Sequence, residues 1–477
     1  MKTLINWKSV ILWLSFAIIV VYNAIDGFND RYLWYDESGQ FFISMGLNHF
    51  SPPFSHRGTL ADVLVNNTRL NLDPGGFSIL LYFWTFISQD VVFLRILPYL
   101  FYLAGSFFVF KISRRYLNSL SLSVIYTATW FILPAVSQQA VELRAYTMEM
   151  FGTIFSVWYC ITYKKELNEY SKLLLLSVFM AFFCTSRYGF ILVAFAVSLW
   201  VMYVLFKGKK SWDDFFERMI FYSMPLLIML IMIYQYSLRF QDLRLGFHLW
   251  YVEYLSDGVR VFFKPISLIF YVVVAIALVK RIKKRELSDF HIITLIVAFT
   301  FFIASIFGIY PWDKIRTVSA LMLLMLFSIL FVMVYAERKW QIGDKRYLHL
   351  LFFAFINFFV LTNYHFRFNP ESDGLNEFCE WRKTNSDVKL GVNFRFYPNI
   401  RYLFEYGDLK DKKTEWNYPD AYMLCGNEMN AEEYLFGDGD LTDVKEKYLL
   451  SANNAFVSLS PYTCIKVIKP KRTIPRW

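Results

Sequence analysis

Long apolar runs separated by short polar stretches dominate the chain. They recur at residues 9–25, 91–110, 119–136, 145–163, 172–186, 189–206, 218–238, 264–280, 291–309, 318–336 and 348–363. At about 1.5 Å per helical residue, roughly 17–22 residues cross a hydrocarbon core about 30 Å thick. The pattern therefore predicts an α-helical polytopic membrane protein with about eleven spans. One more run, 75–88, is apolar but short. If it crossed, the next run would deliver Lys111, Arg114 and Arg115 to the outer face. It is expected instead to lie in the outer interface, a depth that suits Tyr82 and Trp84. With that choice the dense basic clusters at 111–115, 207–210 and 281–285 all fall on the cytoplasmic side, as positive-inside bias requires.

Polar stretches complete the organisation. Lys2 and Lys8 precede the first run, which reads as an uncleaved first span entering from the cytoplasm. The expected transmembrane body covers 1–363, with an outer loop at 26–90 too long and too aromatic to be a linker. From 364 to 477 the composition turns polar, and a small extracytoplasmic α/β domain is expected there. Helices are expected at 375–382 and 401–406, and short strands at 388–393, 421–425, 455–459 and 465–468.

Composition changes this picture little. The 477 residues are 56% hydrophobic and 20% aromatic, more apolar surface than a soluble fold can cover. A formal net charge of +10 would suggest nucleic acid in a soluble protein; here the cations sit in short loops, and no nucleic-acid partner is expected. Cys160 and Cys184 lie in apolar runs and read as packing residues. Cys425 and Cys464 sit at predicted strand edges and could pair in an oxidising compartment. No cysteine–histidine spacing points to a metal site.

Candidate chemistry concentrates outside the membrane. The stretch 31–50, RYLWYDESGQFFISMGLNHF, carries the adjacent acids Asp36 and Glu37 among aromatics. Charge beside hydrocarbon is costly and calls for a task. Four cations, Arg144, Arg187, Lys314 and Arg316, stand at predicted outer ends of spans, against the charge rule. Arginine binds phosphate oxygens through a forked geometry. His56, Arg57, Tyr146 and Tyr188 are candidate substrate contacts on the same face, and Asn66 opens a glycan-acceptor triplet with Thr68.

An acidic pair soon after the first span, inside an aromatic stretch, resembles the first outer loop of the GT-C glycosyltransferases. The nearest likeness is to the protein O-mannosyltransferase, lipid A aminoarabinose transferase and rhizobial lipopolysaccharide glycosyltransferase group. It covers roughly residues 10–200. Residues 72–84 (LDPGGFSILLYFW) stand where that family opens an apolar helix. Pro74 is kept, but Asp73 and Gly75–Gly76 replace the family's His or Lys and Pro-Leu. Arg95 followed by Arg114–Arg115, and Glu142-Leu-Arg144-Ala-Tyr146, match two further stretches of the family.

The resemblance implies an integral membrane glycosyltransferase of the bacterial inner (plasma) membrane with its site facing outward. Its partners would be a polyprenyl-phosphate sugar donor, membrane lipid, and an acceptor that is a glycan, a lipid or a protein. Asp36 would be the general base of an inverting displacement, with Glu37 orienting the acceptor or a cation. Arg144, Arg187, Lys314 and Arg316 would hold the donor phosphate. No cofactor is identified, and a divalent metal stays open. Three other readings compete. A many-span polysaccharide polymerase or ligase would carry its large outer loop late in the chain. A transporter or flippase would show repeats and broken helices. A non-catalytic scaffold would use the tail to bind a partner.

Overall fold

A computed structural model describes residues 7–29, 31–48, 55–70, 73–239, 261–282, 287–310, 317–339 and 397–410, with shorter stretches between 375 and 467. The expected span at 348–363 lies outside the described residues.

Helices come in the order the apolar runs predict. They are α1 Trp7–Asn29, α2 Tyr35–Ser44, α3 Leu60–Leu70, α4 Gly76–Trp84, α5 Val91–Leu117, α6 Leu120–Ile132, α7 Pro134–Ser137, α8 Tyr146–Thr162, α9 Tyr170–Cys184, α10 Tyr188–Gly208 and α11 Trp212–Ile233. After the 239–260 region follow α12 Pro265–Ile282, α13 Asp289–Ile306, α14 Ser319–Lys339 and, in the tail, α15 Tyr397–Glu405. Among the described residues, five stretches are long and apolar enough to cross a membrane: Val10–Asn29, Val91–Leu117, Tyr188–Gly208, Trp212–Leu238 and Asp289–Ile306. Four shorter apolar helices accompany them, at Leu120–Ile132, Tyr170–Cys184, Ile266–Lys280 and Ser319–Val332. The chain is a helical membrane protein.

Two departures from the apolar pattern have local causes. The run 119–136 is one stretch in sequence, yet α6 stops at Ile132. Pro134 disfavours helical backbone at the residue before it and restarts the chain as the one-turn α7. The 75–88 run forms only the nine residues of α4. At about 1.5 Å per residue that is roughly 13 Å, too short to cross alone.

The chain divides into two compact units. The first comprises residues 1–27, 67–77 and 96–366, and the second 28–66, 78–95 and 367–477. In the first, α9 packs on α11, α8 on α9 and α10, α10 on α13, and α13 on α14. The many phenylalanines supply this packing. Phe155 and Phe179 stack between α8 and α9 with centroids 3.7 Å apart, and Phe183 sits edge-on to Phe151 at 5.3 Å. Gly105 lets Trp130 lie against α5; a Cβ there would stand 2.6 Å from the indole. Lys164 at the end of α8 pairs with Asp289 at the start of α13 at 2.7 Å.

In the second unit, α2 packs on α15. Strands β1 Leu390–Asn393, β2 Ala421–Cys425, β3 Leu435–Phe436, β4 Phe456–Ser460 and β5 Thr463–Val467 lie within a few residues of the expected stretches, and β3 was not expected. They form one sheet in the order β3-β1-β2-β5-β4. β1 and β2 are parallel, and α15 lies in the crossover between them. The other pairings are antiparallel. Register sets Cys464 opposite Leu424 and Cys425 opposite Thr463, so the two cysteines are not register partners. Their side chains lie outside the described residues.

Gly76 is where α4 starts and where the chain touches the turn between α9 and α10. Its N–H donates to the Thr185 carbonyl at 2.8 Å, and a Cβ would overlap the Thr185 side chain. Gly76→Ala should destabilise the protein by about 1–3 kcal/mol through overpacking. A lowered thermal midpoint in detergent would show it; an unchanged midpoint would contradict this close approach.

Candidate functional site

α2 begins at Tyr35, so Asp36 and Glu37 occupy its first turn. Acids are favoured there because the helix dipole is positive at that end. One residue apart, the two carboxylates point in different directions and meet different fates. Glu37 is 1% exposed. It accepts the Trp34 N–H at 3.3 Å and pairs with the Arg95 guanidinium at 2.8 Å. Arg95, also 1% exposed, donates in addition to the Tyr32 carbonyl at 2.9 Å. The Glu37 carboxylate thus ties the first turn of α2 to Arg95, near the start of α5. Asp36 stays half-buried.

Arg57 and His56 precede α3. His56 is exposed. The Arg57 guanidinium donates to the Tyr82 carbonyl at 2.6 Å and to the Thr85 hydroxyl, and lies over the Phe86 ring 3.5 Å from its centroid. Burial draws its pKa down from the ordinary arginine value, partly offset by Tyr82 and Tyr406. Arg57 thus ties the loop to α4.

In the helical unit a charge network joins four segments. Arg187, in the turn before α10, has its Nε 3.2 Å from Asp73 Oδ1 and its Nη1 3.5 Å from Glu149 Oε2. Its guanidinium lies over the Tyr146 ring at 4.1 Å. Arg144 reaches the other Asp73 oxygen at 3.6 Å. Burial opposes the Arg187 charge, yet Asp73, the Tyr310 and Tyr146 hydroxyls and Glu149 hold its pKa well above the usual arginine value. The Tyr310 hydroxyl is likewise pushed far up, first by burial and then by the Glu149 charge. Gly189 makes the fit possible: a Cβ there would overlap Glu149 Oε1 and the Tyr310 hydroxyl.

A small cavity opens beside this network, walled by Gln139, Tyr146, Glu149, Thr153, Thr317 and Ser319 among others. Gln139 Nε2 donates across it to Ser319 Oγ at 2.9 Å. The rest of its wall is apolar, from Met150, Val193, Phe301, Val318, Ala320 and Leu321.

The structure thus brings Arg144, Arg187 and Tyr146 together. It gives the arginines carboxylate partners, Asp73 and Glu149, that were not singled out as site residues. Two guanidinium and two carboxylate groups balance, so an anion bound here must compete with the acids. Asp73 was visible only as a departure from the family pattern. Glu149 has a signal in the sequence: an acid one turn into an apolar helix. Tyr188 hydrogen-bonds Ser237 at 2.8 Å, a bond between helical segments. Lys314 and Arg316 lie outside the described residues. Among the described residues, no group of three or more His, Cys, Asp or Glu is placed to hold a metal ion.

No protein-family model matches the chain, and no curated protein sequence matches it.

Removing one partner of a buried ion pair leaves a charge without compensation, at about 3–5 kcal/mol, whereas replacing both by apolar groups is far milder. Glu37→Ala should therefore lower the thermal midpoint strongly, and the double variant Glu37→Leu/Arg95→Met should recover most of it. Equal, small effects of single and double variants would show that the pair does not hold α2.

Proposed function

We propose that the chain is an integral membrane glycosyltransferase of GT-C type. It takes a sugar from a polyprenyl-phosphate carrier and transfers it to an acceptor hydroxyl outside the cytoplasm, on a surface polysaccharide, a lipid or a protein. In this reading about eleven spans carry the chain, the 75–88 segment lies in the outer interface, and the tail is an extracytoplasmic α/β domain.

One observation carries the assignment of the base. Of the two adjacent acids, Glu37 is locked into a buried pair with Arg95, and Asp36 is the one that keeps exposure on the same helical turn. The burial of Glu37 with Arg95 supports taking Asp36, the more exposed of the two, as the base. The acceptor oxygen attacks the anomeric carbon while the bond from that carbon to the phosphate oxygen breaks. The bonding electrons leave with the polyprenyl phosphate. The hydroxyl proton passes to Asp36 late in the displacement. A single displacement inverts the anomeric centre. Arg144 and Arg187, pre-oriented by Asp73 and Glu149, are the donors assigned to the leaving phosphate.

General-base catalysis contributes about 10²–10⁴-fold. Asp36→Asn, expressed at wild-type level in a host deleted for the gene, should lower formation of the missing glycan by at least about 100-fold. Glycan restored at the normal rate would remove Asp36 from the reaction.

A further inference from the structure

The tail helix α15 is fastened to α2 by side chains from four of its positions or their immediate neighbours. Tyr402 and Tyr406 pack edge-on against Phe41, with centroids 5.0 and 5.1 Å away. The Arg401 guanidinium lies over the Phe42 ring at 4.1 Å and donates to the Asn48 carbonyl at 3.0 Å. Tyr402 also donates its hydroxyl to the Gln89 carbonyl at 2.5 Å. These contacts hold the far end and flank of α2.

Asn399 does something more specific. Its Nδ2 donates to the Leu33 carbonyl at 2.9 Å, and its Oδ1 lies 3.0 Å from the Ser38 hydroxyl, whose one proton it shares with the Trp34 and Tyr35 carbonyls at 3.1 Å each. Leu33 lies three residues before Asp36 and Ser38 two residues after it. One amide therefore bridges the backbone entering the turn and a side chain leaving it, with Asp36 between them. Asn399 is 1% exposed and Ser38 fully buried. A buried amide used at both ends is costly to displace, so its bonds define the turn rather than decorate it. The backbone of α2 could form without this bridge, because Ser38 N–H already bonds the Trp34 carbonyl at 2.9 Å. What the bridge adds is a fixed attitude of the first turn.

We propose that Asn399 is a positioning residue for Asp36. The tail contributes to the reaction by setting the angle at which the base is presented. This rests on the reading of Asp36 as the base. It gives α15, Tyr397–Glu405, a part in orienting the base.

The test uses the full-length protein in a host deleted for the gene. Glycan is quantified per amount of protein that elutes as a single folded species after detergent extraction. Asn399→Ala removes both bonds and should lower glycan per folded protein by about 10-fold or more, since small misplacements of a catalytic group are expensive in rate. Ser38→Ala removes the Oδ1 contact together with those to the Trp34 and Tyr35 carbonyls and leaves the Leu33 bond, and should give an intermediate loss. Asn399→Gln, which keeps the amide, should regain part of the activity lost in Asn399→Ala. A purely structural role would reduce the folded amount and leave glycan per folded protein unchanged in all three; that result overturns the proposal. Asp36→Asn is run alongside. If it transfers normally, the base assignment fails, and this role falls with it. If it is inactive while Asn399→Ala is normal, only the positioning role fails.

Discussion

Glu37 and Arg95 meet at 2.8 Å with almost no solvent on either side, and the arrangement around Asp36 follows from that contact. A carboxylate and a guanidinium taken out of water lose far more than one hydrogen bond returns unless they are matched and further bonded. Here they are: Glu37 also takes the Trp34 N–H, and Arg95 also gives to the Tyr32 carbonyl. The pair consequently pins the start of α2 and the segment ahead of it to α5. Asn399, Arg401 and the tyrosines of α15 act on a helix whose origin is already fixed.

The same constraint shapes the helical unit. Arg144 and Arg187 would be intolerable there alone, and Asp73 and Glu149 balance them. Each carboxylate seat required a glycine or a turn close by. Gly189 clears the space beside Glu149, and the Asp73-Pro74-Gly75 turn leads into α4, with Gly75 at a φ of +102° that disfavours a side chain. The result is a network in which each guanidinium faces a carboxylate. Under the proposed chemistry, donors already oriented need no reorganisation as a phosphate leaves.

Much of the fold was legible in the apolar pattern because each span depends on local composition. Proline at 134 explains why one run became two helices, and the length of α4 explains why 75–88 cannot cross alone. Strands in the tail were readable within a few residues for the same local reason. The site was less legible. Asp36 and Glu37 look alike in sequence, and only the long-range contact with Arg95, 58 positions away, distinguishes them. Asp73 and Arg187 are 114 positions apart, and Asn399 lies 361 from Ser38. No periodicity or spacing encodes such pairings. Lone charges in apolar surroundings are nevertheless a usable hint: Arg144 and Arg187 stand out for that reason, and Glu149 shares it.

In the proposed mechanism a single carboxylate, Asp36, serves as base while the second, Glu37, is buried and paired. The mechanism assigns no residue as nucleophile for a covalent sugar intermediate, and the displacement occurs in one step. The anomeric configuration of the transferred sugar, determined by NMR in the product and in its lipid-linked donor, tests this most directly. Opposite configurations are predicted. The same configuration in both would require a double displacement and would contradict the role given to Asp36.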